Sequence, residues 1–155
     1  FNSILAGEAS AKFSLLLNDH AAFDSRISQL PTQKDVIDYF RWRNEDANRN
    51  ALNAHCYWEL RKNGKSAKMA TKEIEGLSTA AKNELLFQRG INFNELPNWQ
   101  KRGIGLYWVE YEKEGINHTT GEAIMVKRKK IKIDYDLPMK DSYSDFINII
   151  MNENK

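Results

Sequence analysis

The stretch DYFRWRNEDANRNALNAHCYW, Asp38–Trp58, carries the reading of this chain. Just upstream, Thr32 followed by Asp35 forms a capping-box-like start, with Asp shorter than the usual Glu. Downstream, Asn63-Gly64 is a stop. The spacing therefore predicts one long helix over 33–62. Val36, Phe40, Ala47, Ala51, Ala54 and Trp58 are its expected buried stripe. Arg41, Arg43, Glu45, Asp46, Asn48, Arg49 and Asn50 crowd its middle turns. Trp42, Arg43, Asp46, Asn50 and Asn53 recur three or four residues apart, so they share a face. Such a face is either a polar hydrogen-bond network, a ligand site or a contact between copies.

Working outward, FNSILAGEASAKFSLLL at 1–17 puts Phe1, Leu5, Ala9, Phe13 and Leu16 on one side of a helix. Asn18-Asp19-His20 is a turn. FDSRISQL at 23–30 is a strand candidate ended by Pro31. Beyond the long helix, residues 66–75 form a short helix. Ser78 caps AAKNELLFQR, with Gly90 in the C′ position. Residues 91–103 are expected as loop, 104–112 and 123–134 as a β-hairpin with a turn region over 113–122, and 141–151 as a final helix capped by Asp141.

The chain has 155 residues, 23 Lys+Arg against 21 Asp+Glu, and 41% apolar residues, so it is globular and its net charge of +2 names no partner. The single Cys56 excludes an intrachain disulfide framework and a cysteine-cluster zinc site, and suits a reducing, cytoplasmic setting. No apolar run approaches the length of a membrane span, so no membrane partner is expected.

Generic catalytic motifs are missing: there is no phosphate-binding glycine loop, no GxSxG and no HExxH. His20, His55 and His118 lack ligand spacing. Cys56 beside His55 is no nucleophile–base pair, since neighbouring helical side chains diverge by about 100°. Two basic patches remain. In KRKKIK, 127–132, alternation puts Arg128, Lys130 and Lys132 opposite Ile131 and Ile133. Arg61, Lys62, Lys65, Lys68 and Lys72 form the other. Each is either a track for a phosphate backbone or a solvated basic face. Trp99 beside Lys101-Arg102 suits a stacked base or a plug closing its loop.

DYFRWRNEDANRNALNAHCYW (38–58), KNELLFQRGINFNELP (82–97) and FDSR (23–26) resemble, in order, the motifs of the tRNA-histidine guanylyltransferase family. The closest branch is the guanylyltransferase-like one, which repairs tRNA 5′ ends. The resemblance implies an α+β fold. Residues 1–31 would be the remnant of a ferredoxin-like polymerase palm, one helix plus one strand. Residues 32–155 would be a mainly helical, fingers-like C-terminal domain with a β-hairpin. It implies a nucleotidyltransferase that adds nucleotides to tRNA in the 3′→5′ direction, with GTP and ATP as substrates, Mg2+ as cofactor and assembly as a homo-oligomer, a tetramer in the family. The alternative is a non-catalytic tRNA- or RNA-binding module derived from that enzyme.

The resemblance also assigns residues. The metal-binding carboxylates, and with them every catalytic residue, are expected upstream of residue 1, so the chain alone is expected to be inactive. Phe1, which begins the sequence inside a helical pattern, fits that expectation. Arg26, Lys82 and Asn92 match triphosphate-contacting positions, a coherent set because Arg forks phosphate oxygens, Lys is a point charge and Asn donates an amide N–H. Arg43, Asp46, Asn48, Arg49, Lys101 and Arg102 fall on the tRNA side. Asn48 stands where family members that mature histidine tRNA have a His, which favours the repair branch.

Overall fold

The computed structural model describes residues 1–153 of a chain that divides into two units, Phe1–Asp35 and Val36–Lys155. The last two positions of the expected 32–155 segment lie outside the described residues. The architecture is mixed helix and sheet, with a single two-stranded antiparallel sheet among the described residues.

In the first unit, α1 spans Asn2–Leu17 and ends at Asn18, whose φ of 53° is the left-handed cap that Asn tolerates. None of its residues is buried. Phe13 meets Phe23 edge to face at 5.4 Å between ring centroids. The expected strand over 23–30 does not form. A strand needs a ladder partner, and among the described residues none pairs with this segment. Instead the Phe23 N–H donates to the Ser10 hydroxyl at 2.9 Å, and the Ala21 N–H to that of Ser14 at 3.0 Å.

The long helix forms with the expected bounds: α2 is Gln33–Lys62. Its start is a reciprocal cap. The Thr32 N–H donates to the Asp35 carboxylate at 3.1 Å, and the Asp35 N–H to the Thr32 hydroxyl at 3.2 Å. Its stop is Gly64 at φ 85°, where Gly64 N–H reaches the Arg61 carbonyl and Lys65 N–H the Leu60 carbonyl. The buried stripe differs from expectation: it is Asn44, Leu52, Cys56 and Leu60, while Phe40, Ala54 and Trp58 are exposed. The helix turns toward its core the side on which Leu and Cys recur every four residues, leaving the larger aromatics outside.

Helices α3 (Ala67–Ile74) and α4 (Thr79–Phe87) are capped by Ser66 and Ser78. The α4 end has Gly90 at φ 79°, with Gly90 N–H to Phe87 O and Ile91 N–H to Leu86 O, the C′ role expected of that glycine. Leu52, Cys56, Leu86 and Phe93 form one core, sealed by Ile74, Leu85 and Ile91. Burying a leucine such as Leu60 or Leu86 contributes about 2 kcal/mol. The expected 91–103 loop contains a 3₁₀ turn, Phe93–Glu95, and a short helix α5, Asn98–Arg102.

Strands β1 (Gly105–Ile116) and β2 (Ala123–Asp134) pair over their full length, Gly105 opposite Asp134 and Ile116 opposite Ala123. β1 runs four residues past the expected Glu112, so the loop is only 117–122. A second core joins Leu137, Tyr143 and Ile147, with Ile37 and Phe146 against it. In α6 (Asp141–Glu153), Asp141 is the first helical residue rather than the cap. Lys140, at φ 56°, precedes it and its carbonyl accepts from the Tyr143 and Ser144 N–H groups. That leaves the Asp141 carboxylate free to meet Arg41.

Candidate nucleotide and nucleic-acid interface

On α2 the polar face resolves into a set built on one carboxylate. Asp46 accepts from the Arg49 guanidinium and, at 3.1 Å, from the Asn50 amide, with Arg43 at 3.6 Å. Its side chain is only 17% exposed, whereas those of Arg43 and Arg49 are 55% and 65% exposed. One acid thus holds two guanidinium groups toward solvent. Arg43 also lies 5.4 Å over the ring of Trp42, which stiffens it further. Asn48, on the same helix, is half-buried.

Lys82 lies on α4, half-buried, and its backbone carbonyl accepts from the Cys56 thiol at 3.4 Å. Its positive charge opposes the burial that pushes the Cys56 thiol up. Asn92 caps the 3₁₀ turn: its Oδ1 accepts from the Asn94 N–H and its amide donates to Glu95 at 2.8 Å. A hollow of about 360 Å³ adjoins it, lined by Asn83, Glu84, Phe87 and Phe93 among others. Asn92 lines that hollow, and Lys82, on α4, is not among its lining residues. Arg26 belongs to the first unit, where it is exposed and paired with Asp24 at 3.2 Å.

Lys101 and Arg102 turn inward. Lys101 is 6% exposed, donates to the Asn94 carbonyl at 2.8 Å and stands over Phe93. Arg102 donates to the Leu137 carbonyl. Burial, the largest cause, draws both pKa values down. In this chain both side chains tie the 91–103 segment to its surroundings. Trp99 is 46% exposed between them and Pro97.

The basic strand alternates as expected. Arg128, Lys130 and Lys132 share a face with Tyr107 and Tyr111, opposite Ile131 and Ile133. Lys130 sits 5.0 Å over Tyr111, and Lys132 5.5 Å over Tyr107. Two lysines thus cover the two tyrosine rings, and Arg128, Lys130 and Lys132 form a row of cations along the strand.

Sequence reasoning missed a cavity of about 500 Å³ between α2, the base of the hairpin and α6, walled by Phe40, Tyr107, Phe146 and Ile147 with Arg43 and Asn44. Its walls come from segments a hundred residues apart, and no local pattern announces it. Among the described residues no group of three or more His, Cys, Asp or Glu is placed to hold a metal ion. No helix among them is long and apolar enough to cross a membrane.

Comparison with known proteins agrees with the motif reading. Residues 34–148 match the Thg1 C-terminal domain family. The chain is 37% identical over 110 residues to a probable tRNA(His) guanylyltransferase of Dictyostelium discoideum, covering 70% of this chain and 41% of that protein. It is 36% identical over 103 residues to tRNA(His) guanylyltransferase 2 of Arabidopsis thaliana, covering 66% and 19%. For the tRNA(His) guanylyltransferase of Debaryomyces hansenii the figures are 34% over 117 residues, 72% and 44%. The chain therefore spans less than half the length of each of these relatives. With the match running from the first turn of α2 into α6, the chain belongs to the tRNA(His) guanylyltransferase family through its Thg1 C-terminal domain.

Proposed function

We propose that the chain is the C-terminal portion of a tRNA 5′-end nucleotidyltransferase that adds nucleotides, GTP foremost, in the 3′→5′ direction during tRNA maturation or repair in the cytoplasm. The observation that carries this reading is the family match over residues 34–148. In it the Asp46-anchored arginines, Arg43 and Arg49, hold tRNA phosphates, together with Asn48. Lys82, Asn92 and Arg26 serve the triphosphate. Mg2+ would belong to carboxylates outside this chain, in a palm that precedes 32–155 and of which 1–31 is a part. Asn48, standing where histidine-specific members have a His, favours repair of a wider set of tRNAs. The whole protein would work as a homo-oligomer.

The test is GTP-dependent 5′ extension of a truncated tRNA. A parent protein with the upstream segment should add nucleotides with magnesium present, and this chain alone should not. Clear activity from the chain alone would overturn the placement of the chemistry outside it. The second reading, a tRNA-binding module without catalysis, is favoured by the exposed guanidiniums and the Tyr–Lys face of the hairpin. An inactive parent that retains tRNA affinity would select it.

A further inference from the structure

The cavity between α2, the base of the hairpin and α6 is lined by two polar atoms that the fold leaves unanswered. Its volume is about 500 Å³, and most of its wall is apolar, with Phe40, Tyr107, Phe146 and Ile147 contributing. Asn44 lines it too and is only 4% exposed. The Asn44 amide N–H donates to the Pro138 carbonyl at 3.4 Å. Pro138 is not part of the wall, so the end of the amide left to the cavity is Oδ1. That oxygen is buried and has no hydrogen-bond partner among the described residues. The same holds for Nε of Arg102, a second lining residue, whose guanidinium donates from another nitrogen to the Leu137 carbonyl. One hollow is therefore lined by an unanswered acceptor and an unanswered donor. Buried polar groups in folded proteins are nearly always paired, so two orphans on one cavity call for a ligand that pairs them.

We infer that this cavity binds a small neutral molecule carrying a carboxamide or lactam on an aromatic or other apolar body. The amide N–H donates to Asn44 Oδ1, and the amide carbonyl accepts from Arg102 Nε–H. The two protein atoms are not bonded to each other. A group whose donor and acceptor are separate atoms therefore suits the gap between them. A carboxylate would satisfy Arg102 but has no proton for Asn44, and would set oxygen against oxygen. A hydrocarbon would leave both protein atoms desolvated and unpaired. One water could answer both, yet it takes up only about 30 Å³, and the rest of the wall is apolar. The volume lies within the range of small-molecule sites, which combine apolar walls with a few polar groups that fix orientation. Lys82 and Asn92, read above as serving the triphosphate, line none of it. The inference therefore stands apart from the transferase reading.

The test is titration of the full chain with benzamide, benzoate and toluene, followed in proton–nitrogen correlation spectra that include the Arg102 Nε–H and the Asn44 side-chain amide. Benzamide should bind with a Kd of about 1 mM and shift both signals. Benzoate and toluene should bind at least about 10-fold more weakly, since each fails one or both polar atoms. Asn44→Leu removes the acceptor at similar volume. It should weaken benzamide about 10-fold while holding toluene no less well, a reversal that a merely structural role for Asn44 would not produce. Ile150→Trp narrows the cavity from α6 with both polar atoms in place, and should abolish binding of both probes. Each variant is read with its far-ultraviolet spectrum, so that at least one tests a folded chain. No shift of the two signals up to about 20 mM benzamide would overturn the inference. So would benzoate or toluene binding as tightly as benzamide, or benzamide affinity unchanged in whichever variant keeps the wild-type spectrum.

Discussion

Tyr107 donates its hydroxyl to Asp134 at 2.8 Å, tying the first turn of β1 to the last residue of β2. The Asp136 N–H, the largest influence on this carboxyl, donates to its other oxygen at 3.0 Å, and Lys132 is 3.4 Å away. Together they hold the Asp134 pKa below its ordinary value. An unfolded Asp titrates near 3.9, so the stabilisation is fully present above that pH and is lost as pH falls through the lower folded value. Asp134→Asn should therefore lower the urea midpoint at neutral pH, and the gap from wild type should narrow below about pH 4. A gap of constant size from pH 7 into the acid range would refute this role.

Leu86 is fully buried against Cys56 and Phe93. Leu86→Ala should cost about 2–5 kcal/mol by urea denaturation, whereas Trp58→Ala, at an exposed site, should stay within about 0.5 kcal/mol. Equal losses at the two positions would move the core elsewhere.

Gly64 stops α2 at a φ of 85°, in open space. Gly64→Ala meets no atom there, so the cost is backbone strain alone, about 1 kcal/mol. A neutral result in thermal unfolding would show that the helix ends for another reason.

In a full-length parent, Lys82→Ala should lower nucleotide addition by roughly 10- to 100-fold, the worth of a charge-assisted phosphate contact, with the circular dichroism spectrum retained. Unchanged rates would remove Lys82 from the triphosphate.

Arg43→Ala and Arg49→Ala should each reduce the slope of log affinity for tRNA against log salt by about 1, uniformly across tRNA sequences. Asp46→Asn keeps both cations but loosens them, so it should weaken affinity while leaving the slope. A slope untouched by both arginine changes would place the tRNA phosphates elsewhere.

Helices α2, α3 and α4 were legible because their signals are local. Thr32 with Asp35, Ser66, Ser78, Gly64 and Gly90 mark ends within a few residues of chain, and each forms the cap its chemistry suggests. What was not legible depends on distant partners. Residues 23–30 have strand composition, yet a strand exists only with a ladder partner. Phe40 and Trp58 look like core by residue type, but Leu52, Cys56 and Leu60 face the partner helices and bury instead. Lys101-Arg102 beside Trp99 reads as either the setting of a stacked base or a plug closing its loop. Only the fold brings Asn94 and Leu137 near enough to draw both cations inward. The Asp46 cluster was visible as a spacing, but not as one acid shared by two arginines.

The base of the hairpin has a mechanical consequence. The chain enters β1 through Gly103, at φ 84°, and Gly105, where an added Cβ would lie 2.8 Å from the Leu137 side chain. Leu137 belongs to the second core with Tyr143 and Ile147, so any side chain at Gly105 would push the base of the hairpin off that cluster.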